Sequence, residues 1–294
     1  MKTILALTDF TKNAENAAQV AVNLAGKLRT DVELFHNYQS FTVAPYYAWG
    51  SLVTEEPTLL VEENKQHLVE LKEKLEAIAG EFGPNDRKPN LNFENKEGNL
   101  TENMNIELSK KEIELVVMGA QTNDPIDHLV SGSDTHAVIE HVQCPVLIVP
   151  INSHLKNLNK IVFATDFDQA DIKAITYLIK LCKHFDTELE IVHVNPSERG
   201  KTNESVNEIM FKERIAKLKY PLITYTDIFG KDVVTRLYHF YKESKADVLA
   251  MVHHQHSFFG RLLQHSTTKE ALAIQAFPVM VFPAKSKVPE MIVL

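Results

Sequence analysis

Short apolar runs alternate along this chain with longer segments whose apolar residues recur every three or four positions. Residues 4–7 form a strand-length run that ends in Thr8-Asp9-Phe10. Ala14, Ala17, Ala18, Ala21, Val22, Ala25 and Leu28 then mark one face of a helix. Far downstream, residues 161–164 end in Thr165-Asp166-Phe167, and Ile172, Ile175, Ile179, Cys182 and Phe185 repeat the helical spacing, with Asp168 placed as its N-cap. Residues 32–35 and 189–194 read as second strands, and 91–93 and 222–225 as third strands. Leu68, Leu71, Leu75, Ile78 and Phe82 predict a long amphipathic helix, and Phe211, Ile215 and Leu218 its shorter counterpart. Another helix, a fourth strand and a fifth complete each set. Continuous apolar strands separated by helices predict parallel sheets covered on both faces.

The two sets are copies of one unit. From Ile4 onward, the opening strand and its Thr-Asp-Phe end recur at an offset of 157, as does Val32-Glu33-Leu34-Phe35-His36 in Leu189-Glu190-Ile191-Val192-His193. Later the offset is 133, pairing Met118 with Met251, Pro145 with Pro278 and Pro150 with Pro283. The expected fold class is therefore α/β, with two repeated doubly wound domains. Each is a five-stranded parallel sheet with helices on both faces. The expected boundaries are residues 1–150, a polar linker at 151–159, a second domain at 160–284 and a tail at 285–294. So short a linker predicts an internal pseudo-dimer, and a homodimer of whole chains is a further candidate assembly. Ligands of such sheets lie beyond the C-terminal strand ends where strand order reverses.

Composition narrows the partners. Residues 1–150 carry 12 Lys+Arg against 23 Asp+Glu, and residues 151–294 carry 19 against 16. An acidic first half, and a second half without a dense basic block, argue against nucleic-acid binding. The apolar run before Thr8 is too short for a signal peptide or a membrane span. Cys144 and Cys182 form no Cys-x-x-Cys pair, so the expected location is a reducing cytoplasm.

The stretch 116–150, VVMGAQTNDPIDHLVSGSDTHAVIEHVQCPVLIVP, carries the candidate chemistry. Gly119 ends a strand where a bare backbone could approach a ribose or phosphate. Gly132 and Ser133 open a helix whose free N–H groups and positive dipole end would suit phosphate. Nine residues separate the segment Gly119-Ala120-Gln121-Thr122 from Gly132-Ser133. This pattern resembles G-x-x-G-x9-G-[ST], the nucleotide motif of the universal stress protein family, with Thr122 at the middle glycine. The strand ending in Asp9, the strand leading into His36 and the closing Cys-Pro-Val-Leu-Ile-Val-Pro are also similar to that family, in a tandem two-domain form.

The resemblance implies an ATP-type adenine-nucleotide site in the first domain, built from Thr8, Asp9, Phe10, Asn37, Met118, Gly119, Thr122, Gly132, Ser133, Asp134 and Thr135. It places Asp9 near the adenosine, Asn37 beside the base and Thr135 on the phosphate side. A β-branched Thr122 disfavours a left-handed backbone. Asp134 and the acidic half-domain repel phosphate, which Mg2+ held by Asp124 or Asp127 would offset.

In the second copy Gly119 becomes Val252, Thr122 becomes Gln255 and Gly132 becomes His265, so no nucleotide is expected there. His253, His254, His256 and His265 make a candidate zinc site. The plainer alternative is a polar loop, because neighbouring residues of an extended chain point opposite ways. His36 and His193 read as strand-end histidines bonded to backbone. Tyr46, Tyr47 and Trp49 read as a lid, a partner surface or an anchor for a long loop.

The functional expectation is a cytoplasmic stress-response regulatory or binding module with ATP in its first domain, and not a dedicated catalyst. One alternative is a ligand-free interaction scaffold. Another is a slow, metal-assisted adenine-nucleotide hydrolase, although Thr8-Asp9-Phe10-Thr11-Lys12 stands where such hydrolases carry Ser-Gly-Gly-x-Asp-Ser.

Overall fold

The computed structural model describes residues 2–40, 57–120, 132–153, 155–195, 205–253 and 277–283. The first copy runs β1 (Thr3–Leu7), α1 (Lys12–Leu28), β2 (Asp31–Tyr38), α2 (Pro57–Gly80), β3 (Leu91–Glu97), α3 (Leu100–Lys110), β4 (Ile113–Gly119), α4 (Gly132–His141) and β5 (Val146–Val149). The second runs β6 (Lys160–Ala164), α5 (Gln169–Cys182), β7 (Glu188–Asn195), α6 (Val206–Lys217), β8 (Ile223–Phe229), α7 (Val233–Ser244), β9 (Val248–His253) and β10 (Val279–Pro283). Among the described residues no helix is long and apolar enough to cross a membrane.

Each copy is the doubly wound parallel sheet that the apolar pattern predicts, but the two do not remain separate sheets. All ten strands form one sheet in the order β3-β2-β1-β4-β5-β10-β9-β6-β7-β8. Pairing within each copy is parallel. The joint is antiparallel, with Val279 opposite Ile148, Met280 opposite Leu147 and Val281 opposite Val146. The last strand of each copy is thus enclosed on both sides, and the sheet edges fall to β3 and β8.

The helix periodicity translates directly into packing. Ala14, Ala17, Ala18, Ala21, Val22 and Ala25 are all buried along α1, and so are Ile175, Ile179 and Cys182 along α5. One buried cluster runs from Ile4 and Leu34 in the first copy to Ile191 and Phe282 in the second, so the copies share a core. Asp168 caps α5 as its position suggests, its side chain accepting from the Ala170 N–H. Tyr46, Tyr47, Trp49, Asp124, Asp127 and the tail lie outside the described residues.

Candidate functional site

In the first copy the strand order reverses between β1 and β4, which opens the crevice where ligands of this architecture bind. Its walls begin with the turn that ends β1. Phe10 holds a left-handed backbone (φ 64°), an unusual state for an aromatic residue. The turn is held because Thr8 Oγ1 accepts the Phe10 N–H at 3.1 Å, while Asp9 Oδ1 accepts the Thr11 N–H at 3.0 Å and the Thr11 hydroxyl at 2.6 Å. Thr11 in turn caps α1 by accepting from the Ala14 N–H. Asp9 is exposed at the crevice, whereas Thr8 is buried beneath it.

The same device recurs in the second copy. Phe167 has φ 68° and its N–H donates to Thr165 Oγ1 at 3.0 Å. Phe10 packs on the ring of His36 at 4.2 Å, and Phe167 on that of His193 at 4.3 Å. His36 Nδ1 lies 2.7 Å from the Thr8 carbonyl and His193 Nδ1 lies 3.0 Å from the Thr165 carbonyl. A carbonyl only accepts, so Nδ1 carries the proton in both rings. Burial lowers the pKa of His36, with the Thr8 carbonyl and Asp9 opposing, which keeps the ring neutral. Both histidines are backbone-bonded strand-end residues, as their repetition suggests.

Gly119 has a reason that comes from packing. A Cβ there would lie 2.7 Å from the carbonyl carbon of Asn13 and 2.9 Å from the Ala14 nitrogen. The first turn of α1 therefore abuts the end of β4, and Asn13 Nδ2 donates to the Ala120 carbonyl at 2.5 Å. Asn13 is buried, and its Oδ1 has no hydrogen-bond partner among the described residues. This free acceptor in the first turn of α1 was not among the residues the motif suggested. Its only signal in the sequence is a polar residue beside the apolar face of α1.

The remaining candidates divide. Asn37 is engaged at both ends, donating to the Gly98 carbonyl at 2.7 Å and accepting from Asn103 Nδ2 at 2.8 Å. Met118 is 7% exposed and sits in the core cluster. Thr135 is half-buried in the first turn of α4, which begins at Gly132. Thr122, the exposure of Gly132 and the side chains of Ser133 and Asp134 lie outside what is described. In the second copy His253 is buried, 6.3 Å from the ring of His136 on α4, and His254, His256 and His265 lie outside. Among the described residues the potential metal ligands that converge are Glu33, Glu94 and Glu107. Lys111 already neutralises part of that group, its Nζ lying 2.5 Å from both Glu33 oxygens.

The sequence matches the universal stress protein family over residues 1–150 and 157–283. Among solved structures, a universal stress protein from Archaeoglobus fulgidus DSM 4304 superposes with a TM-score of 0.71 at 15% identity, covering 96% of each chain. A putative universal stress protein from Pseudomonas aeruginosa UCBPP-PA14 gives 0.56 at 14%, covering 96% of this chain and 92% of its own. Universal stress protein UspA from Lactobacillus plantarum matches at 25% identity over 50% of this chain and 96% of its own, with a TM-score of 0.38. No curated protein sequence matches.

Proposed function

Because this chain belongs to the universal stress protein family and holds two copies of its domain, we propose that it is a regulatory module whose first copy binds an adenine nucleotide, ATP or a relative. The carrying observation is the crevice at the β1/β4 reversal. The exposed Asp9 carboxylate and the start of α4 at Gly132 belong to the elements around it. Asp9 offers an acceptor to ribose or amine donors, and the α4 terminus offers N–H groups to phosphate. Mg2+ would offset the acidic half-domain. The second copy is a packing partner, with Val252 buried where the first copy has Gly119. The expected compartment is the cytoplasm.

A ligand-free scaffold is the second reading, and the Gly119 contact favours it. That glycine is required by α1 whether or not a nucleotide is present. Titration calorimetry with Mg-ATP separates the two readings. The first expects saturable binding that weakens at least tenfold in Gly132→Val with unchanged circular dichroism. Equal binding by the variant places the phosphates elsewhere, and no heat with either protein leaves the scaffold.

A further inference from the structure

At the opposite ends of the strands, the joint between the copies encloses a cavity of about 720 Å3. Asn105 and Leu108 of α3, Cys144 before β5, and Tyr177 and Leu181 of α5 contribute to its wall, so both copies build it. Tyr177 fixes one side by donating its hydroxyl to the Glu114 carbonyl at 3.2 Å. The volume falls within the ~300–1,000 Å3 typical of small-molecule sites, which are largely apolar with a few placed polar groups.

The internal repeat supplies a control for this space. At an offset of 133, Asn105, Leu108 and Cys144 correspond to Tyr238, Tyr241 and Phe277. In the second copy those rings fill the equivalent place, Tyr241 stacking on Phe277 at 4.2 Å and Tyr238 lying 6.0 Å from it. The fold therefore does not demand a void here. Among the described residues, three smaller side chains leave the space open on the side of the first copy.

Charge at the opening selects the ligand. Lys2 is paired with Glu114, which leaves Lys180 and Lys183 against the single carboxylate of Glu112. At an offset of 157 the counterparts of Lys180 and Lys183 are Asn23 and Gly26, which carry no charge. Lys180 and Lys183 are thus charges that α5 carries and α1 does not at the matching positions. We propose that this cavity binds a small amphipathic organic anion, with its alkyl or aromatic body among Leu108, Cys144 and Leu181 and its head at Lys180 and Lys183. This site is independent of the nucleotide crevice, which lies beyond the other strand ends.

The test titrates the full chain with dodecanoate in a calorimeter, alongside displacement of the fluorescent aryl sulfonate 8-anilinonaphthalene-1-sulfonate. Expected are saturable dodecanoate binding at one site, at least tenfold weaker binding of dodecanol, and no competition from Mg-ATP. The double variant Lys180→Glu/Lys183→Glu, both exposed positions, should weaken dodecanoate at least tenfold without shifting the melting temperature. Asn105→Tyr/Leu108→Tyr/Cys144→Phe, which copies the filled side, should abolish it. Should the triple variant misfold, the lysine pair still decides. No saturable binding, dodecanol binding as tightly as dodecanoate, or indifference to the lysine changes overturns the proposal.

Discussion

Asp171 and Ala14 occupy the same position in the two copies, and the difference gives the second copy a proton switch that the first lacks. The Asp171 carboxyl is 1% exposed and accepts the Thr165 hydroxyl at 2.6 Å. Burial raises its pKa to about 7, the Thr165 hydroxyl opposing and the carboxylates of Asp166 and Asp168 adding to the rise. The folded-state pKa lies above the ordinary 3.8, so between those values the folded chain keeps a proton the unfolded chain has released. Stability from this group is full below pH 4 and is lost as pH rises toward 7. Asp171→Asn keeps an acceptor for Thr165 without the charge. It should gain on the wild type by about 2–4 kcal/mol between pH 4 and 8 in urea unfolding. A constant difference across that range would rule out the titration. Only the repeat marks Asp171 as buried, by aligning it with Ala14 on the apolar face of α1; by composition one carboxylate among Asp166, Asp168 and Asp171 looks like another. Asn13 was equally hard to read, because its role depends on Ala120, more than a hundred residues away.

Between elements, the buried ion cluster that ties β2 to the end of α3 makes the clearest case. Glu33 lies within an apolar strand and is 2% exposed, and Glu107 of α3 is 1% exposed. Lys111 follows α3 and reaches both, at 2.5 and 3.6 Å. Burial raises the pKa of Glu33 and Lys111 pulls it back. Lys111→Met would leave the buried Glu33 without its cation and Glu107 with Lys110 alone, at 3.2 Å. It should cost about 3 kcal/mol in denaturant unfolding, with the double variant Lys111→Met/Glu33→Met recovering part of the loss. A neutral single variant would mean that water already solvates the cluster. The apolar-run criterion found the inner strands. It stopped short on the outer ones, where residues 91–93 extend to Glu97 and 222–225 shift to Ile223–Phe229. Edge strands face solvent and carry polar residues such as Asn95 and Asp227, so their ends leave no apolar signal.

At the scale of the whole molecule, the repeat made two sheets legible but not their fusion, because an antiparallel joint leaves no mark on sequence spacing. The joint changes what the linker is for. β10 lies between β5 and β9, with Met280 opposite Leu147 on one side and Ala250 on the other. The linker itself is pinned, with Leu155 and Leu158 buried, Asn16 Nδ2 donating to the Pro150 and Ser153 carbonyls at 2.9 Å, and the Thr187 hydroxyl donating to the Leu158 carbonyl at 2.5 Å. With a shared core and a continuous sheet, covalent continuity should be dispensable once folding is complete. A protease site placed at the exposed Asn157 should therefore yield two fragments that co-elute in size-exclusion chromatography and separate only in denaturant. Met280→Pro removes an N–H from an interior strand and clashes with the ladder, so the cut protein carrying it should fall apart into two peaks. If the wild-type fragments separate under native conditions, the shared sheet is too weak to unite the copies, and the linker does the joining.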